Sequence, residues 1–279
     1  MKHKISADML YNYSQCPHRL YLDLFEDSAK QNRESAFLKL LWERGIDYEK
    51  QVVSELKIPF LDLSSYSGSE KEKRTIDAIK QGVTLIYSGR ISTAQLVGEP
   101  DLLLKKEGEY IAGDIKSGSG FEGENEETEG KPKKHYALQL GLYTDILTRL
   151  NHSTSRTPFI HDIKGRDISY DLGEAKGKLN QQTWWECYLE TLSEIEQIVE
   201  KNVTTTPAHG GVCKLCHWRT HCLKSLIAAQ DLTLIPELGR KKREAIHLQV
   251  QTLTDFAQKP LSDFKDGKKT IFPGIGLST

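Results

Sequence analysis

The stretch Gly98-Glu-Pro-Asp-Leu-Leu-Leu-Lys-Lys-Glu-Gly-Glu-Tyr-Ile-Ala-Gly-Asp-Ile-Lys-Ser-Gly118 constrains this chain more than any other. It predicts a β-hairpin: an apolar run at 101–104, a turn of Gly, Lys and Glu, and a return strand at 110–116. Side chains alternate along a strand, so Tyr110, Ala112, Asp114 and Lys116 share one face, and Ile111, Gly113 and Ile115 the other. A strand that projects a carboxylate and an ammonium from one face is not building an ordinary apolar core. Asp101, after Pro100 on the neighbouring strand, brings a second carboxylate close to Asp114. Carboxylates that close repel each other, and a divalent cation is the natural relief. Lys116 is then placed to orient a water or to stabilise a phosphoryl oxygen. Taken alone, these residues also suit a solvated hairpin with an incidental ion pair, so the flanking chain has to decide.

With 279 residues the chain holds one large domain, or a core plus a small appendage. Its 38% hydrophobic and 28% charged residues are those of a globular protein. The net charge of -1 does not advertise a polyanion as partner, but it conceals segregation. Glu122, Glu124, Glu126, Glu127 and Glu129 crowd one loop; Lys131, Lys133 and Lys134 follow at once, and 240–243 is a solid basic run. Local patches, not the total, set the field a polyanion meets. The N-terminal residues lack the apolar stretch of a secretory signal, and no apolar run is long enough to cross a bilayer. The expected compartment is the cytoplasm, where clustered cysteines more often mean metal than disulfide.

In chain order, residues 6–25 predict two short helices meeting at Cys16-Pro17, with Cys16 at a helix N-terminus that favours a thiolate. Residues 36–57 predict a helix with Leu38, Trp42, Gly45, Glu49, Val52 and Leu56 along one continuous face. Glu49 interrupts that apolar stripe, and a carboxylate there is costly unless paired or bound to metal. A polar helix at 70–81 precedes strands at 83–87 and 90–97. Residues 117–135 read as a mobile, solvated acidic loop. The helix at 134–150 sets Gln139 and Tyr143 on one face, an amide and a phenol able to hold a phosphate or base. Short strands at 158–162 and 167–172 and a long helix at 176–201 follow, with Cys187 as a buried, inert thiol.

Residues 213–222 read Cys-Lys-Leu-Cys-His-Trp-Arg-Thr-His-Cys, a C-x2-C-x5-C spacing. Three thiols in so short a segment point to metal, and a structural site generally takes four ligands. His209, His217 or His221 as the fourth would make a zinc site; Cys16 as the fourth would admit a 4Fe–4S cluster. Spacing does not choose between them.

Together, the Tyr13-x-x-Cys16-Pro17 segment, the Pro100-Asp101…Asp114-Ile115-Lys116 pattern and the cysteine-rich segment resemble the RecB-type nucleases of the PD-(D/E)xK superfamily. Those with an iron–sulfur clasp include the CRISPR-associated exonucleases and the AddB nuclease domain. The resemblance spans residues 6–222. It implies that Asp101 and Asp114 bind Mg2+ or Mn2+ and that Lys116 assists catalysis. It further implies that Gln139 and Tyr143 are the family's Q-x-x-x-Y pair and that Cys16, Cys213, Cys216 and Cys222 ligate the cluster. One position departs from the family: the first-motif helix usually carries His-Glu, and here Tyr48 precedes Glu49. A phenol is a poorer ligand, for which Glu49 or Asp47 would have to compensate.

Downstream, Leu234-Ile-Pro-Glu-Leu-Gly-Arg-Lys-Lys-Arg-Glu-Ala-Ile246 resembles a helix–hairpin–helix motif, with Glu237 in place of the usual first glycine. The resemblance implies that backbone amides near Gly239, with Arg240 and Lys241, meet a DNA phosphate. Phe272-Pro-Gly-Ile-Gly276 looks like a second such hairpin, so the chain reads as a fragment of something longer.

The expectation is an α/β fold: a restriction-endonuclease-like mixed sheet flanked by helices over 1–224, and a small helical DNA-binding appendage over 225–279. The expected activity is metal-dependent hydrolysis of DNA, single-stranded or with free ends, by an exonuclease in repair or processing. Two rivals belong to other classes: a DNA-binding scaffold whose site has decayed, and a binding module stapled by zinc.

Overall fold

The computed structural model describes residues 3–33, 35–125, 128, 130–177, 180–247, 249–267 and 269–271. Its main sheet has six strands: β1 (Leu61–Asp62), β2 (Leu85–Tyr87), β3 (Leu102–Lys106), β4 (Glu109–Ile115), β5 (Phe159–His161) and β6 (Asp167–Ser169). They lie side by side in the order β6-β5-β4-β3-β2-β1. The hairpin β3–β4 forms with Leu102 opposite Gly113 and Lys106 opposite Glu109. Its two-residue turn places Glu107 at φ 53° and Gly108 at φ 90°, both left-handed, as a turn matching the strand twist requires. On either side the pairing is parallel between β1 and β2 and between β4 and β5. Parallel neighbours need a crossover, and helices supply both.

The helices relevant here are α1 (Ala7–Gln15), α2 (Pro17–Phe25), α3 (Ala36–Glu55), α4 (Gly68–Gln81), α5 (Lys134–Arg149), α6 (Trp184–Val199), α7 (Arg219–Ala228) and α8 (Gly239–Ile246). The crossover from β1 to β2 contains α4, and that from β4 to β5 contains α5. The sheet belongs to the first of two compact units, Met1–Gln15 with Phe37–Val203; the second is Cys16–Ala36 with Thr204–Thr279.

In the first unit Val52, Leu85, Tyr87, Leu102 and Ile115 form one core layer, with Tyr48, Val53, Leu56 and Phe159 packed on it. Each such side chain contributes about 1.5–3 kcal/mol by leaving water. Gly113 is required here, because a Cβ would sit 2.2 Å from Cζ of Phe159. Helix α5 packs against β4, α1 and α6. In the second unit Leu232, Ile246, Val250 and Phe264 form a small core of their own.

Several expectations change. The strand read at 90–97 is two short antiparallel strands, Ile91–Ser92 and Leu96–Gly98; the latter also pairs with Ile5–Ser6, outside the main sheet. The long helix begins only at Trp184, because Thr183 and Glu186 form a reciprocal capping box there. The stripe on α3 is not wholly core: Val52 is buried, but Trp42 is 52% exposed. The acidic loop is partly built, since Phe121–Glu122 pairs with Lys131–Pro132 and Glu124 is ion-paired to Arg166 and Lys164. Glu126, Glu127, Glu129 and the second hairpin at 272–276 lie outside the described residues.

Candidate active site

Beyond Leu102 and Gly113 the hairpin register carries Asp101 and Asp114 to the same end of the sheet. The two are linked by local hydrogen bonds. The Ile115 amide donates to Asp101 Oδ2 at 2.7 Å, and the Asp101 amide makes a long contact of 3.4 Å to Asp114 Oδ1. Asp114 is 1% exposed, and among the described residues its Oδ2 has no aligned hydrogen-bond partner. What faces that oxygen is the Lys116 ammonium, 2.6 Å away, as an ion pair rather than an aligned hydrogen bond. Lys116 follows directly on β4, and its amide donates to the His161 carbonyl at 2.8 Å, prolonging the parallel ladder to β5.

Burial, reinforced by the Asp114 charge, pushes the Asp101 carboxyl well above the usual carboxylate range, against the pull of Lys116. Burial draws the Lys116 ammonium down, but Asp114 and Asp101 outweigh it and hold Lys116 charged. Glu49 reaches the same end of the sheet from α3. Its Oε1 accepts from the Tyr87 hydroxyl at 2.8 Å, and its charge adds to the field on Asp101. Gly45, one turn earlier, leaves room, with Ser117 Oγ 3.8 Å from where a Cβ would lie.

This donor set fits a hard cation. The paired oxygens are carboxylates, one of them buried with its charge met by Lys116, and Mg2+ commonly takes one or two carboxylates while keeping waters. No group of three or more His, Cys, Asp or Glu side chains is arranged around one ion among the described residues. The arrangement is therefore a two-carboxylate site with Glu49 alongside, engaged by Tyr87.

Tyr48 does not point to the acids as a ligand; its hydroxyl donates to the Asp162 backbone carbonyl. Asp47 is exposed. Tyr143 is 2% exposed and receives a 2.8 Å hydrogen bond from Gln139 Nε2, so of that pair only the half-buried Gln139 is open to a substrate. Three neighbours escaped the sequence reading: Tyr87, Asp162 and Tyr136, the last with its ring 5.8 Å from Lys116 Nζ. The i, i+3 spacing of Tyr136 before Gln139 was the available signal.

In the second unit Cys16 caps α2 with Pro17 at the first helical position, and Cys213, Cys216 and Cys222 lie on or beside Gly211–Leu215 and α7. Burial first, then the charges of Cys216, Cys16 and Cys213, push the Cys222 thiol up to about 12. Burial likewise raises the Cys216 thiol, and among the described residues no three of the sulfurs are drawn together as ligands of one ion. Two of the candidate histidines face acids: His217 Nε2 is 2.6 Å from Asp23 Oδ1, and His221 Nε2 is 3.8 Å from Glu26. The His209 amide donates to Thr233.

In the basic run before Ile246, Glu237 takes φ 63° and Gly239 φ 62°. Glu237 thus adopts a left-handed backbone more usual for glycine. Arg240 donates to the Thr206 carbonyl at 2.9 Å, with Cys16 Sγ 3.8 Å from the same nitrogen. Arg243 is 8% exposed and bonded to Pro207 and Asp231. Lys241 is exposed.

No helix among the described residues is long and apolar enough to cross a membrane. No curated protein matches the chain. The profile of the PD-(D/E)XK nuclease superfamily matches residues 18–223, well over half of the sequence and inclusive of Asp101, Asp114 and Lys116. A mixed sheet whose central hairpin delivers two acids and a lysine to one end is the frame such a signature needs, and the chain belongs to the PD-(D/E)XK nuclease superfamily.

Proposed function

We propose that the protein is a divalent-cation-dependent deoxyribonuclease of RecB type, acting as an exonuclease in DNA repair or processing. The observation that carries this reading is the buried Asp114, beside Asp101 and with its Oδ2 2.6 Å from the Lys116 ammonium. Asp101 and Asp114 would hold Mg2+ or Mn2+, with Glu49 alongside. When bound, such a cation polarises the scissile phosphate and lowers the pKa of a water. The chain's own groups supply the rest. Lys116, held charged by the two acids, sets a positive group against the phosphoryl oxygens. Tyr87 fixes the Glu49 carboxylate, and Gln139 offers an amide donor to the strand.

The four cysteines belong on this reading to a 4Fe–4S cluster, with Zn2+ as the alternative. Their membership of one compact unit and the commitment of His217 and His221 to acids favour an all-cysteine set. A brown protein, as isolated without oxygen, supports iron; a colourless one containing zinc removes the cluster. The Gly239 segment with Arg240 and Lys241 is assigned to DNA phosphate in the manner of a helix–hairpin–helix.

The deciding experiment is digestion of end-labelled single- and double-stranded DNA with Mg2+ or Mn2+. Asp114→Ala and Lys116→Ala are expected to abolish cleavage while leaving the circular dichroism spectrum unchanged. Full activity in both purified variants would remove the site assignment. Tyr48's engagement with Asp162 favours one second reading, a DNA-binding scaffold with a decayed site. Titration calorimetry separates them, because the scaffold shows no Mn2+ binding that depends on Asp101 and Asp114.

A further inference from the structure

Close to Lys116 is a feature the reaction as described does not use. Ser14, Gln15, Glu122, Lys133, Lys134 and His135 line an open cavity of about 230 Å3. Among the described residues its charge is lopsided: two ammonium groups against one exposed carboxylate, Glu122. His135 adds no charge at neutral pH, since burial and then Lys133 and Lys116 push its imidazole down to about 4. Lys133 is half-buried, and among the described residues no carboxylate lies within ion-pair distance of its Nζ. Its ammonium faces the Tyr136 ring and is free of a carboxylate that an anion would have to displace among the described residues.

The cavity is tied to the acids through one ring. Lys133 Nζ lies 5.1 Å from the centre of the Tyr136 ring, and Lys116 Nζ 5.8 Å from the same centre. Sharing a ring puts the two ammonium groups at most about 11 Å apart. A nucleic-acid strand spans that within about three nucleotides, at roughly 3.4 Å of rise each. Gly118 lies beside this ring: a Cβ there would make ordinary contacts with Tyr136 Oη at 3.6 Å and Lys133 Nζ at 4.0 Å.

Resting on the nuclease reading, we propose that Lys133, assisted by Lys134, is a phosphate subsite. It takes a phosphate of the bound strand within about three nucleotides of the bond that is cut. Tyr136 acts as the spacer that sets its distance from Lys116. The phosphate is either internal to the strand or a terminal phosphate at its end.

The test is binding of fluorescent oligothymidylate, with and without a 5′-phosphate, to the whole protein in EDTA, where cleavage is blocked. It is run from low to moderate salt, alongside steady-state cleavage with Mn2+. Lys133→Ala is expected to weaken binding several-fold and to flatten the slope of log K against log salt by about 0.7, one phosphate contact to a single strand. Its KM rises with kcat little changed, and Lys133→Arg restores both. If the loss appears only with the 5′-phosphorylated oligomer, the subsite reads a strand end; equal loss in both assigns it to an internal phosphate. Unchanged affinity and slope in Lys133→Ala, with Asp114-dependent cleavage intact, overturns the subsite alone. Absence of cleavage by the unaltered protein overturns the nuclease reading, while binding in EDTA still tests the subsite.

Discussion

Residue 48 shows how one side chain is redirected when its chemistry changes. A phenol ionises far above neutral pH, and burial with the Asp162 charge raises Tyr48 further. It therefore serves poorly as an anionic ligand and well as a donor, which is how the Asp162 carbonyl uses it. Tyr48→Phe keeps the ring in its core layer and deletes that bond. The expected cost is about 0.5–1.5 kcal/mol of stability, read by denaturant titration. The Mn2+ concentration for half-maximal cleavage should not move; a clear shift would show that Tyr48 acts on the cation after all. Asp114 and Lys116 were legible because period-2 alternation alone puts them on one face. The role of Tyr48 was not, because its partner lies 114 positions away.

Among the elements, the segment leaving β4 is held by a knot of charges. Asp162, fully buried, accepts from the Gly120 amide at 3.3 Å and from Arg166 Nη2 at 2.6 Å, and its own carbonyl receives Tyr48. Arg166 also grips Glu124 at 2.7 Å, and Ser119 and Lys164 complete its shell. Bonds from Arg166, then Ser119 and Lys164, lower the Glu124 carboxyl to about 2. A carboxyl whose pKa is depressed by folding adds stability above its ordinary value of 4.5, and that stability fades as pH falls toward about 2. Glu124→Gln should lose the part of the acid-unfolding curve lying in that window, followed by tryptophan fluorescence. A curve unchanged between pH 4.5 and 2 would mean that the ion pairs contribute nothing there. The sequence showed these acids as a loop crowded with like charge. Arg166 and Lys164 come from the turn between β5 and β6, and only the sheet order brings them to Glu124.

For the molecule as a whole, a net charge of -1 means that attraction for nucleic acid must come from local patches. The basic run 240–243 is not a uniform patch. Arg243 is buried against Asp231 and Pro207, whereas Lys241 is exposed. Lys241→Ala is expected to weaken DNA binding and flatten its salt dependence without altering stability. Arg243→Ala should instead cost about 3 kcal/mol in chemical denaturation, the scale for breaking a buried ion pair. If both variants lower affinity equally and neither unfolds more easily, the run acts as one charged surface.

What the sequence determined by itself was local: the hairpin, its two-faced strand, the Cys16-Pro17 helix start and the tight cysteine spacing. Each depends on neighbours a few residues apart, which backbone geometry alone relates. Tertiary structure decided the rest. It packed α3 so that Val52 is buried and Trp42 is not, buried Tyr143 but left Gln139 half-exposed, and brought Lys116 to the ring of Tyr136. Those outcomes follow from the order in which strands pair and the face each helix buries, and no periodicity within one segment encodes either.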